Sequence, residues 1–183
     1  MGPNGYGRVV IRRALPSDAA PLAELAARTF RDTFGAQNRD EDLAQHLARA
    51  YGERQQREEI ADPNLVTLVA EHDGALVAFA QLRPQAPAAP RDASRPVELW
   101  RFYVDTAWHG RGLAQELMST VLAEATAMTA DAIWLGVWEH NPRAQAFYRQ
   151  QGFSAFGAHT FVLDEDPQRD VLMARHLAGV ASP

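Results

Sequence analysis

The stretch YVDTAWHGRGLAQELM, residues 103–118, passes from an aromatic-rich extended pattern through a turn with two glycines into a helical pattern. The turn HGRGLA, residues 109–114, presents backbone N–H groups at a helix N-terminus, where the helix dipole favours negative charge. Glycine lets a ligand approach the backbone closely, and Arg111 and a protonated His109 would add side-chain donors. A tight turn without a ligand has the same appearance, so the stretch alone leaves the ligand open.

Two common anion-binding motifs do not fit this turn. A dinucleotide fingerprint that starts at Gly110 needs a small residue where Gln115 stands, and an acidic residue ~20 positions on, near Ala132. A Walker-type phosphate loop needs a lysine, and all 18 basic residues of the chain are arginines. The sequence therefore argues against a nucleotide-binding α/β protein.

The composition excludes further classes of chemistry. The chain of 183 residues has no cysteine, which rules out disulfides, thiolate metal sites and cysteine nucleophiles. Its histidines are dispersed without metal-ligand spacing, so we predict no metal site. The net charge of −5 and the scattered arginines argue against a nucleic-acid partner. No apolar run reaches the ~20 residues of a membrane helix and no signal-peptide pattern is present, which predicts a cytoplasmic protein without a membrane partner.

The segments around the turn alternate between strand and helix patterns. In the first half of the chain we predict a strand at 8–14, a helix capped by Ser17 or Asp18, one or two helices within 40–63, and two strands flanking Asp73-Gly74. A mobile surface loop at 84–96 follows. The second half is predicted to form a strand at 97–105, a helix at about 110–128, a strand at 132–138, a helix at 142–151, and two strands at 153–163 and 170–177. Asp-Gly between β-rich runs is a strong hairpin signal. The order β-α-α-β-β-β-α-β-α-β-β indicates an α/β fold with a mixed sheet, in which the strands at 97–105 and 132–138 are parallel.

Two motifs on these elements carry a family resemblance. The turn follows the pattern Q/R-x-x-G-x-G/A, with His109 in the Gln/Arg place. The pattern N-x-x-A-x-x-F-Y-x-x-x-G-F is matched by Asn141, Ala144, Phe147, Tyr148, Gly152 and Phe153. Together they resemble the GCN5-related N-acetyltransferase family, in which the first pattern binds coenzyme A. The resemblance implies an N-acetyltransferase domain at 8–177, between a flexible leader at 1–7 and a C-terminal tail at 178–183.

The resemblance also implies a fold, a reaction and a set of binding residues. The fold would be a single domain with a mixed, mostly antiparallel seven-stranded sheet flanked by about four helices. The reaction would be direct transfer of the acetyl group of acetyl-CoA to an amine, with no metal. In the family the fourth strand splays from the fifth and leaves backbone groups for the pantetheine arm. The residues so assigned to acetyl-CoA are Phe102, Tyr103, Val104, His109, Gly110, Arg111, Gly112, Leu113, Ala114, Asn141 and Tyr148.

Three residues are candidates for proton transfer. Tyr148 stands in the family's tyrosine place and is implied to be the general acid for the departing thiolate, although a tyrosine that packs a helix on a sheet would look the same. An alkyl amine with a pKa of ~10 must lose a proton before it attacks. Glu98 lies eleven positions before His109, the spacing of the catalytic glutamate in the histone-acetylating branch of the family. A solvated Glu98, with Glu139 or a water relay as the base, is the alternative.

The acceptor is predicted from a narrower similarity. The segments TFRDTFG (29–35), LWRFYVD (99–105) and HTFVLDEDPQRDVLM (159–173) resemble PaiA-type polyamine acetyltransferases. We therefore predict a small primary amine as acceptor, with polyamines as the leading candidates, and a homodimer as the family often forms. The alternatives are a protein or peptide N-acetyltransferase and a non-catalytic acyl-CoA-binding regulatory module. The acidic run at 164–166 would either attract a cationic amine or form a simple turn.

Overall fold

The computed structural model describes residues 8–34, 51–84, 88–163 and 166–177. Its strands are β1 (Val10–Arg13), β2 (Val66–His72), β3 (Ala75–Arg83), β4 (Pro96–Val104), β5 (Ala132–Trp138), β6 (Ser154–Leu163) and β7 (Asp166–His176). Its α-helices are α1 (Ala19–Phe34), α2 (Glu53–Ala61), α3 (Leu113–Ala127) and α4 (Pro142–Gln150). The predicted leader at 1–7, the tail at 178–183, the acidic residues 164–165 and any helix within 40–50 lie outside the described residues.

The seven strands form one sheet in the order β1-β2-β3-β4-β5-β7-β6. β1 is antiparallel to β2, and β7 is antiparallel to both β5 and β6. β4 and β5 are parallel, as a strand–helix–strand crossover through α3 requires. The fold class is therefore confirmed: a mixed, mostly antiparallel seven-stranded sheet with, in the described part of the chain, four flanking helices. None of these helices combines the length and the apolar character that a membrane-spanning helix requires.

The hairpin between β2 and β3 confirms the prediction from Asp73-Gly74. Both residues have positive φ, +48° at Asp73 and +80° at Gly74, as a two-residue type I′ turn requires. Aspartate tolerates the left-handed region better than most residues, and glycine enters it without a steric penalty. The hairpin fixes the register of two largely buried strands.

By its internal contacts the chain divides into two compact units, each built from two chain segments. One comprises Met1–Gln81 and Phe102–Leu117, and the other comprises Leu82–Arg101 and Met118–Pro183. The first unit has a core that contains the apolar face of α1. Its buried members are Leu22, Leu25, Ala26, Phe30, Tyr51, Val69, Leu76 and Phe79. Tyr103 packs against this core and stacks on Phe79 with 5.4 Å between ring centroids.

The second unit corrects the prediction of a mobile loop at 84–96. Within its described part, 88–95, Pro90 is buried, and Ala88 and Ala89 pack against a cluster that contains Trp134. The carboxylate of Asp131 accepts the backbone N–H groups of Ser94 and Arg95, at 2.7 and 2.9 Å. Because its alanines pack against the Trp134 cluster and its last two amides bond to Asp131, the segment 88–95 is an anchored connector.

Two predicted starts, those of α3 and β7, were wrong by a few residues. Helix α3 begins at Leu113 and not near 110, because Gly110 and Gly112 have positive φ, which a right-handed helix excludes. Helix α1 begins at Ala19, directly after Asp18, as predicted, and the Asp18 carboxylate accepts the Leu15 amide at 2.7 Å in the 3₁₀ turn Pro16–Asp18 that precedes the helix. β7 begins at Asp166 and not at 170, since its ladder with β6 continues to that residue.

Candidate active site

The predicted coenzyme A turn lies in the first unit and follows the end of β4. Asp105, directly after β4, donates its backbone N–H to the Val77 carbonyl at 2.9 Å. Its carboxylate accepts the Ala107 amide at 3.0 Å, which begins a 3₁₀ turn at Thr106–Trp108 that the sequence had not indicated. The same carboxylate pairs with Arg28 of α1 at 2.8 Å. Asp105 thus anchors the entry to the turn.

The charge of Asp105 is stabilised by these contacts. Burial alone would raise the pKa of its carboxyl, but the Ala107 amide, the Arg28 guanidinium and the nearby His109 together hold that pKa below its usual range. Asp105 is therefore ionised at neutral pH, and its bonds to Ala107 and Arg28 persist there.

The two glycines of the turn leave its backbone accessible. Gly110 and Gly112 have φ of +75° and +86°, and no described atom lies within 4 Å of the position that a Cβ would take on either residue. Helix α3 begins at the next residue, Leu113, so the N-terminus of the helix lies beside this open space. The arrangement fits a pyrophosphate for two reasons. Because Gly112 has no side chain, the space beside the turn is left open, and the helix N-terminus favours negative charge there.

The side chains of the turn are oriented by the protein itself. Nε2 of His109 lies 3.0 Å from the carbonyl oxygen of Val104, so this ring nitrogen donates to the end of β4. The guanidinium of Arg111 lies 5.6 Å from the centre of the Trp108 ring. His109 therefore ties the turn to β4, which gives a physical reason for a histidine in the Gln/Arg place of the motif. Its contact with a phosphate stays a prediction.

In the second unit, the ladder between β4 and β5 is short. It pairs Pro96 with Ala132, Val97 with Ile133 and Glu98 with Trp134. Both strands continue beyond these three pairs, and β5 pairs with β7 along its full length, Ala132–Trp138. A parallel pair that ends early is what the predicted splay of the fourth and fifth strands requires.

The second motif places Asn141 at the N-terminus of α4. Its side-chain oxygen accepts the Ala144 amide at 3.1 Å, and Pro142 occupies the first helical position. Gln145 donates to the carbonyls of Trp138 and Glu139, at 3.3 and 2.9 Å, which ties α4 to the end of β5. Because capping uses the oxygen of Asn141, its side-chain N–H₂ is the group that remains to donate to a ligand.

Tyr148 is buried on α4, with 8% of its surface exposed. Its ring meets those of Phe147 and Phe153 edge-on, with centroids 5.4 and 5.8 Å apart. Desolvation raises the pKa of the Tyr148 phenol above its ordinary value, so the hydroxyl keeps its proton at neutral pH. Tyr148 thus packs α4 and is also a protonated donor, so packing and proton donation are compatible.

The two carboxylates considered as bases are both paired with arginines. Glu98 is 8% exposed, so the alternative of a solvated residue at a strand start is wrong. Its carboxylate accepts a hydrogen bond from Arg83, whose guanidinium lies 4.3 Å from the centre of the Trp100 ring. Glu139 pairs with Arg169 at 3.3 Å and is one-third exposed. In both ion pairs the arginine contacts the Oε2 atom, so the Oε1 atom of each carboxylate retains lone pairs that can accept a proton.

One acidic residue on β7, Asp170, was missed by the sequence analysis. The register places it opposite Trp138 of β5 on one side and His159 of β6 on the other. Its carboxylate oxygen lies 2.9 Å from the position that a Cβ on Gly136 would take. We call the surface formed by Gly136, Trp138, His159 and Asp170 the Asp170 face.

The protonation of Asp170 is unusual for an aspartate. Burial raises the pKa of its carboxyl to about 6, against a smaller lowering by His159. The only feature of the sequence that could have indicated Asp170 was an acidic residue at the start of the apolar run DVLM, and an acidic residue at the end of a strand has the same appearance.

No group of three or more histidine, aspartate or glutamate side chains in the described residues is arranged to hold a metal ion.

The family model for the acetyltransferase (GNAT) family matches residues 22–153, which is most of the chain. The protein belongs to this family. An uncharacterized N-acetyltransferase of Mycobacterium tuberculosis is 37% identical over 88% of this chain and 99% of its own. An uncharacterized N-acetyltransferase of Lactobacillus delbrueckii is 30% identical over 92% of this chain and 98% of its own. The GNAT protein is therefore an acetyl-CoA-dependent N-acetyltransferase, as the two motifs predicted.

Solved structures show the same fold. The PaiA N-acetyltransferase of Thermoplasma acidophilum, in complex with coenzyme A, superimposes with a TM-score of 0.76, at 20% identity over 93% of this chain and 99% of its own. A GNAT protein of Rhodopseudomonas palustris superimposes with a TM-score of 0.71 at 19% identity, over 96% of this chain and all of its own. At these identities the likeness concerns the fold.

Proposed function

We propose that the protein transfers the acetyl group of acetyl-CoA directly to a primary amine of a small molecule, with polyamines as the leading acceptors. Binding of acetyl-CoA is supported by one observation, the open backbone at Gly110 and Gly112 before the first turn of α3. The choice of acceptor is supported by the resemblance of three segments to PaiA-type enzymes and by the structural likeness to a PaiA N-acetyltransferase. The absence of cysteine favours transfer without an acyl-thiol enzyme intermediate.

The turn and the strand ends bind acetyl-CoA in this proposal. Backbone N–H groups of residues 110–114 hold the pyrophosphate, and backbone groups of Phe102–Val104 bind the pantetheine arm. The short β4–β5 ladder supports this role for β4, because strand groups beyond a ladder can bond a ligand. The Asn141 side-chain N–H₂ donates to the same arm. Acetyl-CoA supplies the activated acetyl group when it is bound.

Tyr148 acts on the departing sulfur. A coenzyme A thiolate has a pKa of ~8.5, and a buried phenol has a higher one, so full proton transfer from Tyr148 is uphill. A hydrogen bond from the phenol still stabilises the charge that develops on sulfur, and the proton can follow as the thiolate leaves. We therefore assign Tyr148 the role of donor to the sulfur.

The attacking amine must lose its proton before or during attack. Glu98 remains the predicted base, with Glu139 or a water relay as the alternatives, and both carboxylates contact an arginine, Arg83 and Arg169 respectively. In each case the nitrogen lone pair forms the N–C bond, the C–S bond breaks, and the amine proton passes to the base and then to water. Water in turn returns to Tyr148 any proton that the phenol has given to the sulfur. No covalent bond to the protein is formed.

The test of this function is release of free thiol from acetyl-CoA with a panel of polyamines, amino sugars, amino acids and short peptides. We expect turnover with polyamines and little with peptides. Preferred turnover of peptides would favour a protein N-acetyltransferase. Tight coenzyme A binding without turnover on any acceptor would favour a non-catalytic acyl-CoA-binding module.

We also propose that the protein is a cytoplasmic homodimer. The support for dimerisation is β6, which is an edge strand of the sheet and whose residues 154–160 are exposed. A ten-residue edge strand has one side on which no strand of its own sheet lies, so a second strand can pair there. Light scattering after gel filtration measures this directly, and a monomer at micromolar concentration would contradict it.

A further inference from the structure

Asp170 differs from the other shielded carboxylates of this arginine-rich chain. Asp18, Asp105 and Glu98 each pair with an arginine, and Glu59 accepts hydrogen bonds from Gln55 and Gln81. Within the described part of the chain, no hydrogen bond or ion pair is found to the carboxylate of Asp170, and the ionisable side chain that lowers its pKa is that of His159. A partly buried carboxylate without a hydrogen-bond donor is unfavourable for folding, so a cationic donor from outside the chain would stabilise it.

The surroundings of Asp170 are suited to a cation that comes from outside. Trp138 and His159 lie directly opposite Asp170 on the neighbouring strands, where Cβ atoms are ~5 Å apart. An indole binds an alkylammonium through its ring face, and a carboxylate binds it through a charge-assisted hydrogen bond. Gly136 has no side chain, and the carboxylate lies over its backbone.

The charge of this cation indicates which part of an acceptor it is. A carboxylate beside an ammonium stabilises the protonated form. The reacting nitrogen must be neutral to attack, so a tight contact with Asp170 would hinder it. A contact with a second, non-reacting ammonium carries no such penalty.

Resting on the function proposed above, we infer that Asp170, together with Trp138, binds a non-reacting ammonium group of the acceptor and thereby selects diamines and polyamines over monoamines. Asp170 is thus a specificity-determining residue. It makes contact with the substrate but takes no part in the transfer of the acetyl group.

The test compares two acceptors of equal length, 1,4-diaminobutane and pentylamine, in which a methyl group replaces the second ammonium. For Asp170→Asn, which keeps the shape of the side chain, we expect kcat/KM for the diamine to fall about tenfold, through KM, because one charge-assisted contact is lost. In the same variant, kcat/KM for pentylamine should change less than about twofold. The matched control is Asp92→Asn, which removes a charge from an exposed aspartate that pairs with His176, and should leave both values unchanged.

A second variant displaces the carboxylate without removing it. A Cβ on Gly136 would lie 2.9 Å from the Asp170 oxygen, so Gly136→Ala must shift that side chain. We expect the same loss of preference for the diamine, by about threefold or more. Equal losses on both amines, or an unchanged ratio in Asp170→Asn and Gly136→Ala, would overturn the inference.

Failure of the proposed function gives a different pattern. If the wild-type protein turns over neither amine, the proposed function is wrong for these acceptors. Calorimetric titration of 1,4-diaminobutane into the coenzyme A-bound protein then tests the inference alone. We expect binding that weakens about tenfold in Asp170→Asn, and no binding to the wild type would overturn the inference.

Discussion

The turn at 109–114 and the Asp170 face are encoded in different ways. The turn depends on backbone conformations that only glycine adopts easily, so its residues form a contiguous motif that is visible in the sequence. The Asp170 face is assembled by strand register, which brings Gly136, Trp138, His159 and Asp170 together from three strands. The comparison indicates that the proposed cofactor site can be recognised from a local pattern, whereas the proposed acceptor contact depends on long-range strand pairing.

The fold could be predicted where local signals determine it. The hairpin followed from Asp73-Gly74, and the parallel pair β4–β5 followed from a strand–helix–strand pattern. The start of α3 could not be placed, because the two glycines of the turn look compatible with a helix until their φ values are known. The anchored connector at 88–95 depends on Trp134, more than 35 residues away, which no local pattern reveals.

The candidate site divides in the same way. Gly110, Gly112 and Asn141 were predicted from motif positions; the structure gives the glycines positive φ and makes Asn141 the N-cap of α4, and their contacts with a ligand stay predictions. The partners of Glu98 and His109, by contrast, are Arg83 and a backbone carbonyl, which sequence spacing does not indicate. Asp170 was missed because its neighbours come from other strands.

The largest expected effect tests the turn. Gly112→Val should weaken acetyl-CoA binding by ~30-fold or more, about 2 kcal/mol, because the side chain enters the open space and strains a positive φ. The matched control is Gly74→Val, which has a φ of +80° and equally open surroundings in the β2–β3 turn. Calorimetry should show a loss of affinity in the first variant only. Equal affinities would mean that the turn does not bind the cofactor.

The next effect concerns the donor on α4. Tyr148→Phe should lower kcat by ~10-fold or more with little change in the affinity for acetyl-CoA, since the ring still packs against Phe153 and only the hydroxyl is lost. Steady-state kinetics with acetyl-CoA varied at saturating amine measures both quantities. Phe147→Leu, a neighbouring ring on the same helix, serves as the packing control. An unchanged kcat in Tyr148→Phe would remove its assigned role.

Asn141 allows capping to be separated from ligand binding. Asn141→Ala should cost about 1 kcal/mol of unfolding free energy, because α4 loses its N-cap, and should also weaken acetyl-CoA binding by a few-fold. Asn141→Ser keeps a capping oxygen and removes the N–H₂ donor, so it should retain stability and lose only affinity. Urea denaturation and calorimetry report the two effects. Full affinity in the serine variant would confine Asn141 to capping.

The smallest effect concerns the free energy of unfolding, which the ionised carboxylate of Asp170 lowers. Its pKa of about 6 in the folded protein exceeds the ~3.9 of an unfolded aspartate, so the folded state binds more protons between these values. The resulting stability is present below pH ~4 and is lost as pH rises through 6. Asp170→Asn should therefore be more stable than the wild type at pH 8, by about 1 kcal/mol after reduction for solvent screening, and nearly equal at pH 4.

Denaturation at both pH values compares the two proteins. A variant that is less stable than the wild type at pH 8 would show that the carboxylate contributes to folding and is not maintained for binding. Together with the diamine preference, a gain in stability and a loss of selectivity would identify a residue maintained for function.

The central claim is direct transfer of the acetyl group from acetyl-CoA to a small amine. Mass spectrometry of a reaction with 1,4-diaminobutane tests it by comparing the amounts of acetylated amine and free coenzyme A and by weighing the protein. We predict one acetylated diamine for each coenzyme A released, and a protein whose mass does not change. Thiol release without acetylated amine, or an acetyl group retained on the protein, would contradict this account.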